Sequence, residues 1–153
     1  GRPVGCSPDG LARARDLACL ALAAEQAGAA RQALEQTVAY TMQRVQFGRP
    51  IGSFQALKHR MADLYVAVQS ARAVVDEAVA APSATSAALA RFSASEAFSK
   101  VAAEAVQIHG GIAITWEHDI QLYFKRAHGS AQLLGPPREH LRRLEPEVLN
   151  IKA

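Results

Sequence analysis

Two polar segments carry residue types that a simple turn does not require. The first runs from Arg44 to Gln55 and holds Gln46, Phe47, Gly48, Arg49, Gly52 and Phe54; the second is Gln107-Ile108-His109-Gly110-Gly111. A glycine pair opens the backbone so that its N–H groups can approach an anion closely. An arginine near a helix end can neutralise a phosphate and pair with it bidentately. Glutamine side chains offer donors and acceptors to hydroxyls or to a purine edge. Each residue also has a plain reading: Gly110-Gly111 as a helix stop, Arg44 as a solvated cation, Phe47 and Phe54 as core residues bracing a turn. On spacing alone, dinucleotide binding remains one reading among several. The histidines at 59, 109, 118, 128 and 140 have no Cys or carboxylate neighbours at ligand spacing, so no metal site is expected.

The composition narrows the classes. At 153 residues the chain fits one domain with a real core, and its 50% hydrophobic and 20% charged content is ordinary for a globular protein. A net charge of +3, spread rather than blocked, argues against nucleic-acid binding. No apolar run approaches the roughly 20 residues of a membrane span, and nothing reads as a signal peptide. Cys6 and Cys19 stand apart from any disulfide or metal pattern and read as free thiols of a reducing, cytoplasmic compartment. The chain opens Gly1-Arg2-Pro3 rather than with methionine, which suggests a segment excised from a longer protein.

The elements that must position the two segments follow from proline placement. No proline falls within 9–49, 51–81 or 83–135, and one inside a helix would cost about 3 kcal/mol. A flexible segment is expected over 1–9, then a helix over 10–46 with Leu17, Leu20, Ala21, Ala24, Gly28, Leu34, Val38, Met42 and Val45 on its apolar face. Gly28 would allow close approach of a neighbour. Ser53 would cap a second helix over 54–80, whose Leu57, Met61, Leu64, Val68, Ala71, Val75 and Ala78 form a heptad seam. A third helix over 85–108 buries Ala94, Phe98, Val101, Ala105 and Ile108. A fourth over 117–132 buries Ile120, Tyr123, Phe124 and Ala127, with Glu117 supporting its start. A short helix is expected over 138–144. No segment alternates as a strand. The pattern predicts an all-α, up-down helical bundle over 10–153.

With these segments in order, the sequence resembles a known family. The stretch Tyr40–Asp63, with Arg44, Gln46, Phe47, Phe54 and Gln55, is similar to the C-terminal domain of acyl-CoA dehydrogenases, as is Ala97–Gly111 followed by Thr115-Trp116-Glu117. The resemblance covers nearly the whole chain from about residue 10. It implies a helical, FAD-binding, tetramerising domain that follows an N-terminal helical domain and a middle β domain. Arg44, Gln46 and Phe47 would contact the ADP half of FAD held mainly by a neighbouring subunit, and Phe54 and Gln55 would line that site. Gln107, Ile108, His109, Gly110 and Gly111 would cradle the diphosphate and adenosine, His109 having no catalytic role. His59 would support packing or solvation.

The implied reaction is α,β-dehydrogenation of an acyl-CoA thioester, as in fatty acid metabolism, with a carboxylate removing the α-proton. Homo- or hetero-oligomers, dimeric or tetrameric, and an electron-transfer flavoprotein are the implied partners. Here the chain departs from the family. The usual base lies 27 positions beyond the motif glutamine, which from Gln107 gives Leu134, followed by the expected Gly135. In a second group it lies 22 positions before Tyr40, which gives Ala18. Neither accepts a proton. The chain is then the base-deficient partner of a heteromeric enzyme, or a displaced carboxylate such as Asp16 or Glu25 acts, or the chemistry differs. A non-catalytic bundle that binds flavin or acyl-CoA, or serves assembly, is the alternative, and this chain alone is expected to be inactive.

Overall fold

The computed structural model describes Gly5 and residues 7–148. Cys6, most of the 1–9 segment and the residues beyond 148 lie outside the described residues. Five α-helices, α1 (Pro8–Gln43), α2 (Gln55–Ala80), α3 (Ala84–His109), α4 (Ile120–Gln132) and α5 (Pro137–Val148), build an up-down bundle. The expected all-α architecture is the observed one. No helix among the described residues is long and apolar enough to cross a membrane.

α1 begins earlier than its spacing suggests because Ser7 caps it, accepting from the Gly10 N–H at 3.0 Å, with Pro8 at the first position. It also stops earlier. Arg44 is its C-cap, and Val45–Gln46 (β1) pairs antiparallel with Arg49–Pro50 (β2), a two-stranded ribbon that the helix assignment to 46 missed. Phe47 and Gly48 link the strands with φ of 54° and 75°, the positive values that a two-residue hairpin of matching twist requires. A 3-10 turn, Ile51–Ser53, leads into α2. Ser53 does not cap that helix: its hydroxyl donates back to the Pro50 carbonyl at 2.7 Å, and Phe54 occupies the cap position without a side-chain bond.

The heptad seam of α2 is buried from Leu64 through Val68, Ala71, Val75 and Ala78, with Leu57 and Met61 half-buried. The α3 positions are buried as expected. α1 is rotated from its predicted face. Cys19, Leu20, Leu22, Ala23, Gln26, Ala27, Ala30, Ala33, Leu34, Thr37 and Thr41 point inward, while Leu17, Val38, Met42 and Val45 are exposed. Small residues on the inner stripe let α1 lie along α3, its most extensive partner. Gly28 is exposed, and a Cβ there would meet nothing within 4 Å, so it serves no close approach. Gly52 does: a Cβ would sit 2.9 Å from Thr41 Oγ1 and 3.1 Å from Thr41 O.

The core has two zones. Near one end, alanines of α1 and α3 meet Leu20, Val75 and Ala78; towards the other, Leu34, Leu64, Val68, Phe98, Val101 and Ile120 supply bulk. Ser83 and Ser86 form a reciprocal capping box at the start of α3. Gly110, at φ 66° and ψ −141°, ends α3 in a conformation that favours glycine. A 3-10 segment, Gly110–Ile114, and a turn then delay α4 to Ile120. Glu117 does not support the α4 start; it lies exposed in the turn, and the His118 ring accepts the Ile120 N–H at 3.1 Å instead. α5 runs longer than 138–144 at both ends.

Candidate functional site

α1 and α3 run in the same direction, so their C-termini, and with them the two polar segments, emerge at one end of the bundle. Tyr40, one turn before the end of α1, stacks on the His109 ring at 4.2 Å and donates its hydroxyl to the His109 carbonyl at 3.3 Å. His118, from the turn before α4, packs against both rings, 4.5 Å from His109 and edge-on to Tyr40 at 6.1 Å. Three chain segments thus converge on one imidazole.

On the first segment, Arg44 and Gln46 are exposed, and Gln46 Nε2 donates only to the neighbouring Val45 carbonyl at 2.7 Å. The Arg44 carbonyl accepts the Ile51 N–H at 2.8 Å, which closes the ribbon onto the end of α1. Phe47 is 93% exposed at the hairpin tip and meets the Phe54 ring edge-to-face at 6.2 Å. Arg49 sets its guanidinium 4.0 Å above the same Phe54 ring. Neither phenylalanine is a fully buried core residue. Gln55 opens α2 and hydrogen-bonds the His59 ring at 2.8 Å.

On the second segment, Gln107, Gly110 and Gly111 are exposed, and a Cβ at either glycine would meet nothing. Their surface is free for close approach of a ligand. Ile108 faces the core and His109 is 4% exposed, so these two can offer a ligand their backbone more readily than their side chains. His109 Nδ1 lies 2.7 Å from the Ala105 carbonyl, which can only accept, so Nδ1 carries the proton. Nε2 is buried without a partner among the described residues. Burial pulls the His109 pKa below its ordinary value, outweighing the Ala105 carbonyl, which raises it; nearby His118 lowers it further. The ring is therefore neutral at pH 7. The sequence assigned no binding role to Arg49, Tyr40 or His118. The cation next to Gly48 was a visible signal for the first; no spacing rule pairs the other two with His109.

The two positions that the family resemblance marks for a base, Ala18 and Leu134, lie on α1 and on the turn between α4 and α5. Leu134, 40% exposed with φ 59°, precedes Gly135, φ 104°, between α4 and α5. A Cβ on Gly135 would lie 2.7 Å from the Glu139 carboxylate, and Glu139 pairs with Arg15 on α1, one turn before Ala18. Arg91, fully buried on α3, fixes this turn: it donates to the Ser130 carbonyl at 2.6 Å, to Leu133 at 3.0 Å and to Gln26 Oε1 at 2.9 Å. Asp16 is tied to Arg143 at 2.6 Å, and Glu25 to Arg126 at 2.6 and 2.8 Å. The Arg126 hydrogen bonds hold the Glu25 carboxyl below its usual range against a smaller effect of burial. No group of side chains among the described residues could hold a metal ion.

Comparison with known proteins bears on the family and the fold. Residues 14–144 match the family described as acyl-CoA dehydrogenase, C-terminal domain. Acyl-CoA dehydrogenase IpdE2 of Mycolicibacterium smegmatis is 78% identical over 133 residues, 87% of this chain and 43% of that protein. The chain thus spans less than half the length of this curated relative. The ChsE4–ChsE5 complex of Mycobacterium tuberculosis superposes with TM-score 0.89 at 34% identity, over 96% of this chain and 42% of that one. A glutaryl-coenzyme A dehydrogenase in complex with glutaryl-CoA gives TM-score 0.91 at 26% identity, over 97% and 40% of the two chains. The protein belongs to the acyl-CoA dehydrogenase family, of which this chain carries the C-terminal domain.

Proposed function

We propose that this domain closes an FAD site in an oligomeric acyl-CoA dehydrogenase and lacks the proton-abstracting base itself. The observation that carries the reading is the convergence of the Arg44–Gln55 and Gln107–Gly111 segments through the Tyr40–His109 stack. Arg44 would offset diphosphate charge, the exposed backbone at Gly110-Gly111 would approach it closely, and Phe47 offers a bare ring for stacking. Exposed cations, open glycines and amides fit a dinucleotide. FAD, when bound, supplies the hydride acceptor.

Removing the α-proton of an acyl-CoA needs a free carboxylate within hydrogen-bond reach. Leu134 and Ala18 are apolar, and Asp16 and Glu25 are engaged by arginines. The base must then come from a partner subunit, making the enzyme a hetero-oligomer, dimeric or tetrameric; the likeness to the ChsE4–ChsE5 complex supports this over a homo-oligomer. An electron-transfer flavoprotein would reoxidise the enzyme. We place the assembly in the cytoplasm, where buried Cys19 stays a thiol. The lack of a free carboxylate at these four positions also favours a second reading, a flavin- or acyl-CoA-binding bundle that serves assembly alone.

The test is co-expression of the complete protein with a family member encoded beside it. A yellow hetero-oligomer that oxidises an acyl-CoA is expected, with activity abolished when the partner's candidate glutamate becomes glutamine. Full activity after that substitution refutes the base-deficient role. A complex that binds flavin but turns over no acyl-CoA supports the second reading.

A further inference from the structure

The ribbon at the end of α1 carries a second cation whose geometry resembles that of a ligand-binding group. Gln46 pairs with Arg49 across the two strands. Cross-strand partners share a face, and so do residues two apart on one strand. Arg44, Gln46 and Arg49 therefore lie on one side of the ribbon, with the two arginines diagonal neighbours.

Like charges at that spacing repel unless something negative lies between them. Nothing among the described residues does so. Between Glu35 and Asp63 there is no Asp or Glu, whereas Arg44, Arg49, Lys58 and Arg60 all fall there. Of these, Arg60 is taken by Glu104, Nε to Oε2 at 2.7 Å. No carboxylate among the described residues pairs with Arg44 or Arg49, and both are exposed. Arg49 is nevertheless not free to wander, because its guanidinium rests 4.0 Å over the Phe54 ring. Stacking on an aromatic face orients a guanidinium while leaving its N–H edge open for a planar or phosphate acceptor.

We propose that Arg49 is a further binding residue of this site, forming with Arg44 a two-guanidinium clamp on the diphosphate of the bound dinucleotide, with Phe54 as its platform. The inference rests on the FAD reading above and adds a residue and a ligand group to it. Phe54 then acts chiefly through Arg49.

The assembled complex, stripped of flavin and titrated with FAD at several salt concentrations, provides the test. Arg49→Gln should weaken FAD at least about tenfold, as expected for loss of one charge-assisted contact, and should flatten the salt dependence of binding. Arg49→Lys should retain the salt dependence but recover only part of the affinity, because an ammonium keeps the charge without the planar stack. Phe54→Leu should fall between wild type and Arg49→Gln. Lys58→Gln, an equal charge change one turn into α2, should leave affinity within about twofold, the scale of an exposed charge. Unchanged affinity and salt slope in Arg49→Gln, or an equal loss in Lys58→Gln, overturns the clamp. Wild-type complex that takes up no FAD at all overturns the cofactor reading with it, a result distinct from wild-type binding that Arg49→Gln leaves intact.

Discussion

His109 and His140 illustrate how burial sets the chemistry of single residues here. Both rings are withdrawn from water, and burial is the largest cause lowering each pKa, helped at His140 by Arg91 and Arg143. In the unfolded chain both should return to about 6.5. As pH falls, the unfolded state binds protons first, so the stability these rings allow is complete above about pH 6.5 and declines below it. The slope can reach about 1.4 kcal/mol per pH unit for each ring. His109→Phe keeps a flat ring against Tyr40 and removes one titrating group. Its unfolding free energy, measured by urea titration between about pH 7 and 5, should fall less steeply than that of the wild type. An identical slope would show that His109 is protonated equally in both states. The pattern of apolar residues could not reveal this, because His109 is withdrawn from water only where Tyr40 and His118 meet it.

At the scale of elements, the long helices were legible where large apolar side chains mark the buried stripe. The α2 seam from Leu64 to Ala78 and the α3 run from Ala94 to Ile108 are buried as their spacing implies. α1 was not legible in the same way. Its inner stripe mixes Leu20, Leu22 and Leu34 with four alanines and polar residues, its outer surface also contains alanine, and Leu17, Val38 and Met42 lie outside. Periodicity follows size, and with large residues on both faces only packing against α3 decided which one is buried. The two glycines bear directly on this. Gly28→Ala should stabilise the fold by about 0.5–1 kcal/mol, since it improves helix propensity at an exposed, open position. Gly52→Ala should destabilise it by more than that, because Thr41 backbone and side chain both stand within 3.1 Å of the added carbon. Urea midpoints of the two variants moving in the same direction would contradict the assigned packing.

For the molecule as a whole, the exposed apolar surface is informative. Leu17, Val38, Met42, Tyr65 and Val66 are exposed, and an apolar groove between α1 and α2 is lined by Leu34, Val38, Met61 and Tyr65. Such a face suits coverage by another subunit or domain. The two polar segments sit at one end of the bundle and are largely exposed, so in the proposed FAD site most of the pocket has to come from elsewhere. The 153-residue chain on its own should therefore retain little flavin when dialysed against FAD. Stoichiometric, tightly held FAD in the isolated chain would overturn the shared-site reading. The same reasoning predicts that flavin uptake appears with assembly, read as absorbance near the flavin bands in the purified complex and not in its separate chains.

The helical class, the α2 and α3 faces, the glycine stop after His109, and the family were legible from the residues alone, because each depends on local periodicity, backbone sterics or a motif that is contiguous in the chain. It also showed that both usual base positions hold apolar residues. The rotation of α1, the ribbon after Arg44, the stack of Arg49 on Phe54 and the ion pairs that occupy Asp16 and Glu25 emerged with the packed bundle. Each of these joins residues through packing or charge contacts that no local rule encodes. Arg91 is the clearest case: a cation in mid-helix looks solvated until Gln26 and the end of α4, some 40 to 65 positions away, converge on it and make its burial tolerable.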